Sequence, residues 1–423
     1  MTESDTQRGH RLWPLYLAIV LSSMPGTIIL PMLPAIGEKF GASATELGVL
    51  FGIFPLMSAV ASPLWGRLSD RVGRRPALIG ALICGAVSFA AFAFATSFTG
   101  LIIARALQGL SGSTRTIGFA VVADLAKGAA RTVGLGRVSA AMATGFMVGP
   151  LIGAIFMGEA PGGLLLALRG LLDRPDGGFD HTLPSLVGSA VNVIGLVLIL
   201  AGMAESRRPL PRSALAATAT AAGAAPRVIN FFVVILLAQF FVSGFVQGTL
   251  QFAFALWGDL GWQWNAQQIA VAVSVLGLGF VVAAGGLLKP LSSRLTIEQM
   301  VTFGITIDIA GIVAFIVLRE MPVAALVCLF FSALGGAVWG TSLVGMMARD
   351  AQAHRAGMML GFANGAGLIG RVLGPPAAGF LAATTGPVAP FLVILASQSL
   401  ILLRAWQLAR RRTVSPESTS HRK

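Results

Sequence analysis

The chain has 423 residues, 55% of them hydrophobic and only 11% charged, with 52 glycines, a single tyrosine and a formal net charge of +13. Soluble domains carry about a quarter charged residues, so a water-soluble enzyme is excluded. The basic residues lie between apolar runs, which makes them membrane-surface charges and removes nucleic acid as a partner.

A helix needs about 20 apolar residues to cross a bilayer. The chain offers twelve such runs, at 12–33, 47–65, 76–96, 99–122, 135–157, 184–204, 228–252, 267–288, 299–318, 322–346, 357–383 and 387–407. A closed barrel would show short alternating segments instead, so the predicted fold class is an all-α polytopic membrane protein with twelve transmembrane helices. The first run lacks a short apolar core followed by a small-residue cleavage site, and is expected to stay as an anchor. With the N-terminus inside, 23 lysines and arginines fall on the inner side and four on the outer, Lys39, Arg169, Arg174 and Arg319. The positive-inside rule then predicts a multi-pass inner-membrane protein with both termini cytoplasmic. Six of the seven tryptophans (13, 65, 257, 262, 264 and 406) fall at or just beyond span ends, where such rings prefer the headgroup level. Cys84 and Cys328 both lie inside apolar runs, which indicates no disulfide framework.

The inner connection after span 2 reads GRLSDRVGRRP at 66–76. It is expected to turn, with Gly66 and Gly73 supplying permissive backbone and Pro76 starting span 3. Asp70 stands among four arginines, including Arg71 and Arg74, and Arg74 is expected to reach Asp124 at the inner end of span 4. A switchable ion pair there would latch one conformation; a solvated basic loop is the plainer alternative.

Charges inside the hydrocarbon are costly and functional by default. Span 4 carries Arg105 and Arg115, which share one helical face with Gln108 and Gly112. Span 5 carries GFMVGPLIG at 145–153, containing Gly145, Gly149, Pro150 and Gly153. The outer loop 158–184 holds Asp173, Asp176, Asp180 and His181 without the order of a calcium loop, so no metal site is expected. The Ala-rich basic segment 205–227 reads as a cytoplasmic linker dividing an N-terminal six-helix bundle (1–204) from a C-terminal one (228–410), followed by a tail (411–423).

The second half repeats the first. Gly66 and Arg74 recur as Gly286 and Arg294, Gly109 and Asp124 as Gly335 and Asp350, and the GxxxGP of span 5 as Gly370, Gly374 and Pro375, at offsets of 220, 226 and 225 residues. Arg294 and Asp350 are therefore expected to mirror Arg74 and Asp124. Span 7 presents Gln239, Ser243, Gln247 and Gln251 at four-residue steps, a polar seam that must face protein or water. Phe240, Phe241 and Phe245 beside it, with Trp339 in span 10, form either an aromatic wall for a ligand or ordinary packing. Asp308 in span 9 either carries a proton or makes a structural hydrogen bond. Arg371 in span 11 either binds an anion or pairs structurally.

The segment GRLSDRVGRRP resembles the signature loop of the major facilitator superfamily, LIIARALQGLSG at 101–112 resembles its fourth-helix motif, and GFMVGPLIG resembles the fifth-helix motif of its drug/proton antiporters. The resemblance spans essentially the whole chain and is closest to the twelve-helix branch of tetracycline and multidrug exporters. It implies two pseudo-symmetric six-helix bundles, contact of Asp70 with the inner start of span 11, pairing of Arg74 with Asp124 that stabilises the outward-facing state, influence of Arg105 on proton transfer, and close packing at the span 5 glycines. Pro290 departs from the pattern where the second-half loop would carry an acid, and span 1 has no acid but Ser22, Ser23 and Thr27.

The expected function is a secondary active transporter working by alternating access, a proton-coupled exporter of a small organic molecule. It would need no cofactor beyond a proton gradient and no partner beyond lipid and substrate, and would act as a monomer. Three buried arginines against one acid favour a second version that moves an organic anion or metal chelate, in a direction that includes uptake. A non-transporting receptor or assembly factor of the same fold is the rival from another class. No nucleophile, base and acid lie together at membrane depth, which argues against an enzyme.

Overall fold

The computed structural model describes residues 12–112, 114–125, 128–157, 181–203, 205, 231–350 and 356–413, and all regular secondary structure among them is helix. Twelve helical units follow the twelve spans: α1 Trp13–Phe40, α2 Ala44–Val72, α3 Arg74–Ala93, α4 in two pieces (Phe98–Ser111 and Thr114–Leu125), α5 Gly128–Met157, α6 Thr182–Gly202, α7 Phe231–Trp262, α8 Ala266–Arg294, α9 Ile297–Val317, α10 Pro322–Asp350, α11 Ala356–Thr385 and α12 Ala389–Thr413. Ten are long and apolar enough to cross a membrane; the others are the divided α4 and α12, whose apolar part is Ala389–Leu403. Nearly all of the 158–184 loop, all of the 205–227 linker except Glu205, and the tail beyond 413 lie outside the described residues.

Local chemistry sets the helix starts. Ser43 opens α2 with a capping box, its backbone N–H donating to Glu46 at 2.7 Å while its hydroxyl accepts from the Glu46 N–H. Asn265 and Gln268 do the same for α8, 222 residues later, extending the internal repeat. The 66–76 segment corrects the expectation of a loop: α2 runs on through Val72, Gly66 is helical, and Gly73 alone makes the turn, at φ +104°. The 289–294 segment is helical too, after a π-turn over Ala283–Leu287. Span 4 is likewise divided, ending its first piece where the Gly112 N–H bonds back to the Gly109 carbonyl.

Because the helices alternate in direction, the Gly73 turn marks one end of the molecule, here the basic end, and the Ser43 cap marks the far end. At the far end one apolar core joins both halves, with Ile28, Leu33 and Ile36 of α1, Phe92 of α3, Phe254 and Trp257 of α7, Phe315 of α9 and Phe391 of α12. Toward the basic end the core splits. Among the described residues, the buried members of one cluster come from α1, α3, α4, α5, α6 and the adjoining Met203, those of a second from α7, α9, α10, α11 and α12, and those of a small third from α8 and α10. Among the described residues the halves are thus closed at the far end and parted at the basic end.

Glycines permit this packing where lipid supplies no hydrophobic drive between helices. A methyl group on Gly145 would lie 2.5 Å from the Val20 carbonyl oxygen, and one on Gly149 2.5 Å from that of Met24, so the first GxxxGP seats α5 on α1. The second seats α11 on α7, with Gly374 against the Phe245 carbonyl and Gly370 against the Phe245 N–H. Gly153 is buried, and Pro150 and Pro375 lie inside their helices. The third repeat pair diverges: Gly109 packs on α2 at Phe54 and Ser58, whereas Gly335 packs on α9 at Gly304 and Asp308. Between the halves, Gly48 and Gly52 of α2 meet Val372, Pro375 and Pro376 of α11, and Gly277 of α8 meets Met147 of α5.

Candidate functional site: a charged cavity between the halves

At the basic end, Gly73 turns the chain so that Arg74, 5% exposed, points back under α2. Its Nε donates to Asp124 at 2.8 Å, and its Nη1 donates to the Ser69 hydroxyl at 2.6 Å and lies 2.9 Å from Asp70. Charge-assisted bonds of this kind are the strong ones. A further acid joins the cluster. Glu205, just past α6, accepts from the Arg74 and Arg75 backbone N–H groups at 2.9 and 3.1 Å, placing negative charge at the positive end of α3. Sequence reasoning left Glu205 in the linker; a lone acid after an apolar run and before arginines was the available signal. Arg71 is exposed beside this network. In the second half Arg294 is exposed, while the side chain of Asp350 and those at the start of α11 lie outside the described residues.

Between the parted halves lies a cavity of about 920 Å³. Its walls include Arg115, Thr116, Phe119 and Phe146 from the first half and Ser243, Gln247, Gln251, Asp308, Trp339 and Arg371 from the second. A smaller lobe of about 120 Å³ adjoins it at Arg115, Gln251 and Arg371, and runs to Ser22, Ser23, Thr27, Phe51, Phe54 and Arg105. Three of the four residues of the α7 seam therefore face the cavity. Gln239 does not: it is buried, 5% exposed, and absent from the lining. Phe240 lines the cavity, but Phe241 and Phe245 stack at 6.3 Å and abut the α11 glycines, so the aromatic wall includes only the first of them.

Arg105 is 1% exposed and held in detail. It donates to Gln108 at 2.9 Å and to the Gly26 carbonyl at 3.4 Å, and its guanidinium carbon lies 4.8 Å from the Phe54 ring centroid. Its Nε and the Gln108 Nε2 have no partner among the described residues. Arg371 donates to Gln247 of α7. Asp308 is 2% exposed, and its carboxylate accepts from the Ser332 hydroxyl at 2.6 Å, the Trp339 indole at 3.1 Å and the Gln398 amide at 2.6 Å. It bonds to both neighbouring helices, α10 and α12, while reaching the cavity wall. Neither Ser332 nor Gln398 was marked by spacing, since they stand 24 and 90 residues away. His181 is 3% exposed, with its ring against Phe40 and Phe92, and Asp173, Asp176 and Asp180 lie outside the described residues. Among the described residues no cluster of His, Cys, Asp and Glu would hold a metal.

The sequence profile of the Major Facilitator Superfamily matches residues 15–375. The chain belongs to this superfamily. It is a multi-pass membrane transporter and not an enzyme. Among similar superfamily proteins is the class H tetracycline resistance protein of Pasteurella multocida, 26% identical over 373 residues, covering 85% of this chain and 86% of that one. The class B tetracycline resistance protein of Escherichia coli is 24% identical over 371 residues, covering 84% and 85%. In three dimensions the crystal structure of the human organic anion transporter MFSD10 (TETRAN) superposes with a TM-score of 0.68 at 20% identity, covering 94% of this chain and 99% of that one. The fold, read as two six-helix units of superfamily type, thus agrees with the resemblance carried by the three motifs.

Proposed function

We propose that this transporter exports a small organic molecule by alternating access, driven by inward proton movement. The observation that carries this reading is the cavity between the two halves, sealed at the far end by the joint core and flanked by two separate cores at the basic end. Such an arrangement exposes one site to one side at a time when units 1–204 and 228–410 rock about it, joined through 205–227. The basic end is cytoplasmic by its charge, so the described conformation faces inward in the inner membrane. Export is supported by the tetracycline resistance relatives, since a carrier confers resistance by moving the toxic molecule out. The Arg74, Asp70, Asp124 and Glu205 network ties α2, α3, α4 and the end of α6 together at the inner face; because the Arg74–Asp124 pair is formed in this inward-facing arrangement, it serves as a latch among the first half's own helices and not as the selector of the outward-facing state that the resemblance implies. The paired cavity arginines favour anionic cargo as a second reading.

The test is substrate-dependent proton movement in proteoliposomes carrying an imposed pH gradient, with tetracycline and ethidium as probes. Drug-dependent dissipation of the gradient that Asp70→Asn abolishes is the expected result. If neither drug moves protons through the parent protein, proton-coupled export is wrong. If Asp70→Asn leaves transport intact, the latch is wrong.

A further inference from the structure

We infer that Arg115 of α4 and Arg371 of α11 form a single oxyanion clamp across the two halves, and that the cargo is an amphipathic organic anion bearing a carboxylate or sulfonate. The inference rests on the transport reading above and adds the chemical class of substrate. Both arginines line both the main cavity and its smaller lobe, so their guanidinium groups share one aqueous space. Among the described lining residues the sole acid is Asp308, and its two oxygens are already taken by Ser332, Trp339 and Gln398. Among the described residues neither arginine makes an ion pair. A guanidinium keeps its charge in any protein, and at membrane depth an uncompensated charge is expensive. A bound anion supplies the compensation.

Geometry prepares both groups. Arg371 is steadied by its bond to Gln247, which leaves its other N–H groups free for a ligand. Arg115 follows the break in α4, one residue into the second piece, where the positive end of that helix adds to its charge. Arg105 in the smaller lobe raises the positive potential further and repels cations. Phe119, Phe146, Phe240, Phe280 and Trp339 on the same walls offer apolar faces to the body of the ligand. A cavity of about 920 Å³ matches the roughly 300–1,000 Å³ of small-molecule sites. One arginine comes from each half, so the anion is gripped while the halves stand as described and loosened when they move apart.

The experiment compares three probes with the same aromatic body, 2-naphthoate, 2-naphthalenesulfonate and neutral 2-naphthamide, by thermal unfolding of the purified full chain in detergent at millimolar concentration. Both acids are expected to stabilise the parent and the amide to do so at least tenfold more weakly. Arg115→Gln and Arg371→Gln should each weaken acid binding about ten- to hundredfold, the range for losing a charged hydrogen bond, without weakening the amide. Arg115→Lys should retain part of the binding, and Lys289→Gln, an exposed charge outside the cavity, should retain all of it. The Gln variants are first shown to unfold cooperatively without ligand. Equal stabilisation by acids and amide, no stabilisation by either acid, or acid binding indifferent to both Gln variants overturns the clamp. Ethidium-driven proton movement without acid binding would reject the clamp while transport stands; acid binding without any flux would reject transport while the clamp stands.

Discussion

Asp308 shows how a single side chain can hold three helices. Its carboxylate on α9 is the common acceptor for a hydroxyl and an indole on α10 and an amide on α12, all of them 1% exposed or less. Removing the acceptor leaves three buried donors unmatched, and each unsatisfied group costs about 1–3 kcal/mol. Asp308→Ala is therefore expected to destabilise the second half by about 3–5 kcal/mol, seen as a fall in unfolding temperature, while Asp308→Asn retains a carbonyl acceptor and loses roughly half as much. Equal stability of the parent and the Ala variant would show that the donors find other partners. Arg74 is the corresponding hub at the basic end, where one guanidinium joins Ser69, Asp70 and Asp124.

Among the helices, the glycine contacts divide into two kinds with different consequences. Gly145 and Gly149 seat α5 on α1 inside one half, so a larger side chain there strains the bundle itself. Gly48 lies between halves: a methyl group would stand 2.5 Å from the Pro375 carbonyl and 2.9 Å from the Pro376 Cα. Overpacking costs about 1–3 kcal/mol, and here it falls on the state closed at the far end. Gly48→Val is expected to open that end. In a background with Cys84 and Cys328 replaced by Ala, an Ile36→Cys reporter, fully buried in the joint core, should react at least about tenfold faster with an impermeant thiol reagent from the far side. Gly145→Val should instead lower the unfolding temperature without exposing that reporter. An unchanged rate in Gly48→Val would mean that α2 and α11 do not form the far seal.

At the scale of the whole molecule, the charge asymmetry and the split core make one joint statement about direction. The parted end is the basic end, and the proposed orientation, argued from the positive-inside rule, predicts that it faces the cytoplasm. Arg67→Cys in α2 and Ser292→Cys in α8, both exposed at the basic end of different halves, should be shielded from an impermeant reagent in intact cells and labelled after permeabilisation. Thr385→Cys at the far end of α11 should be labelled in both conditions. Labelling of positions 67 and 292 from opposite sides would break the two-unit architecture.

The twelve spans, their alternation and the three motifs were legible in the residues because a bilayer leaves each crossing little freedom: it must be apolar, about 20 residues long and internally hydrogen-bonded. The approach of Arg74 to Asp124 was legible too, since both sit at span ends whose side the loop charges reveal. The cavity was legible only in part. Helical periodicity placed Gln239 with Ser243 and Gln247, yet packing buries Gln239 elsewhere, because a face of a helix acquires a meaning only when its neighbours, tilt and breaks are known. The interruption of α4 beside Gly112 and the embrace of Asp308 by Ser332 and Gln398 were decided by tertiary structure alone, and the capping of α3 by Glu205 left only a faint trace in the sequence, a lone acid after an apolar run. So was the choice of closed end. Contacts between residues far apart in the chain determine it, and no local pattern of one chain encodes which of two nearly equivalent packings is occupied.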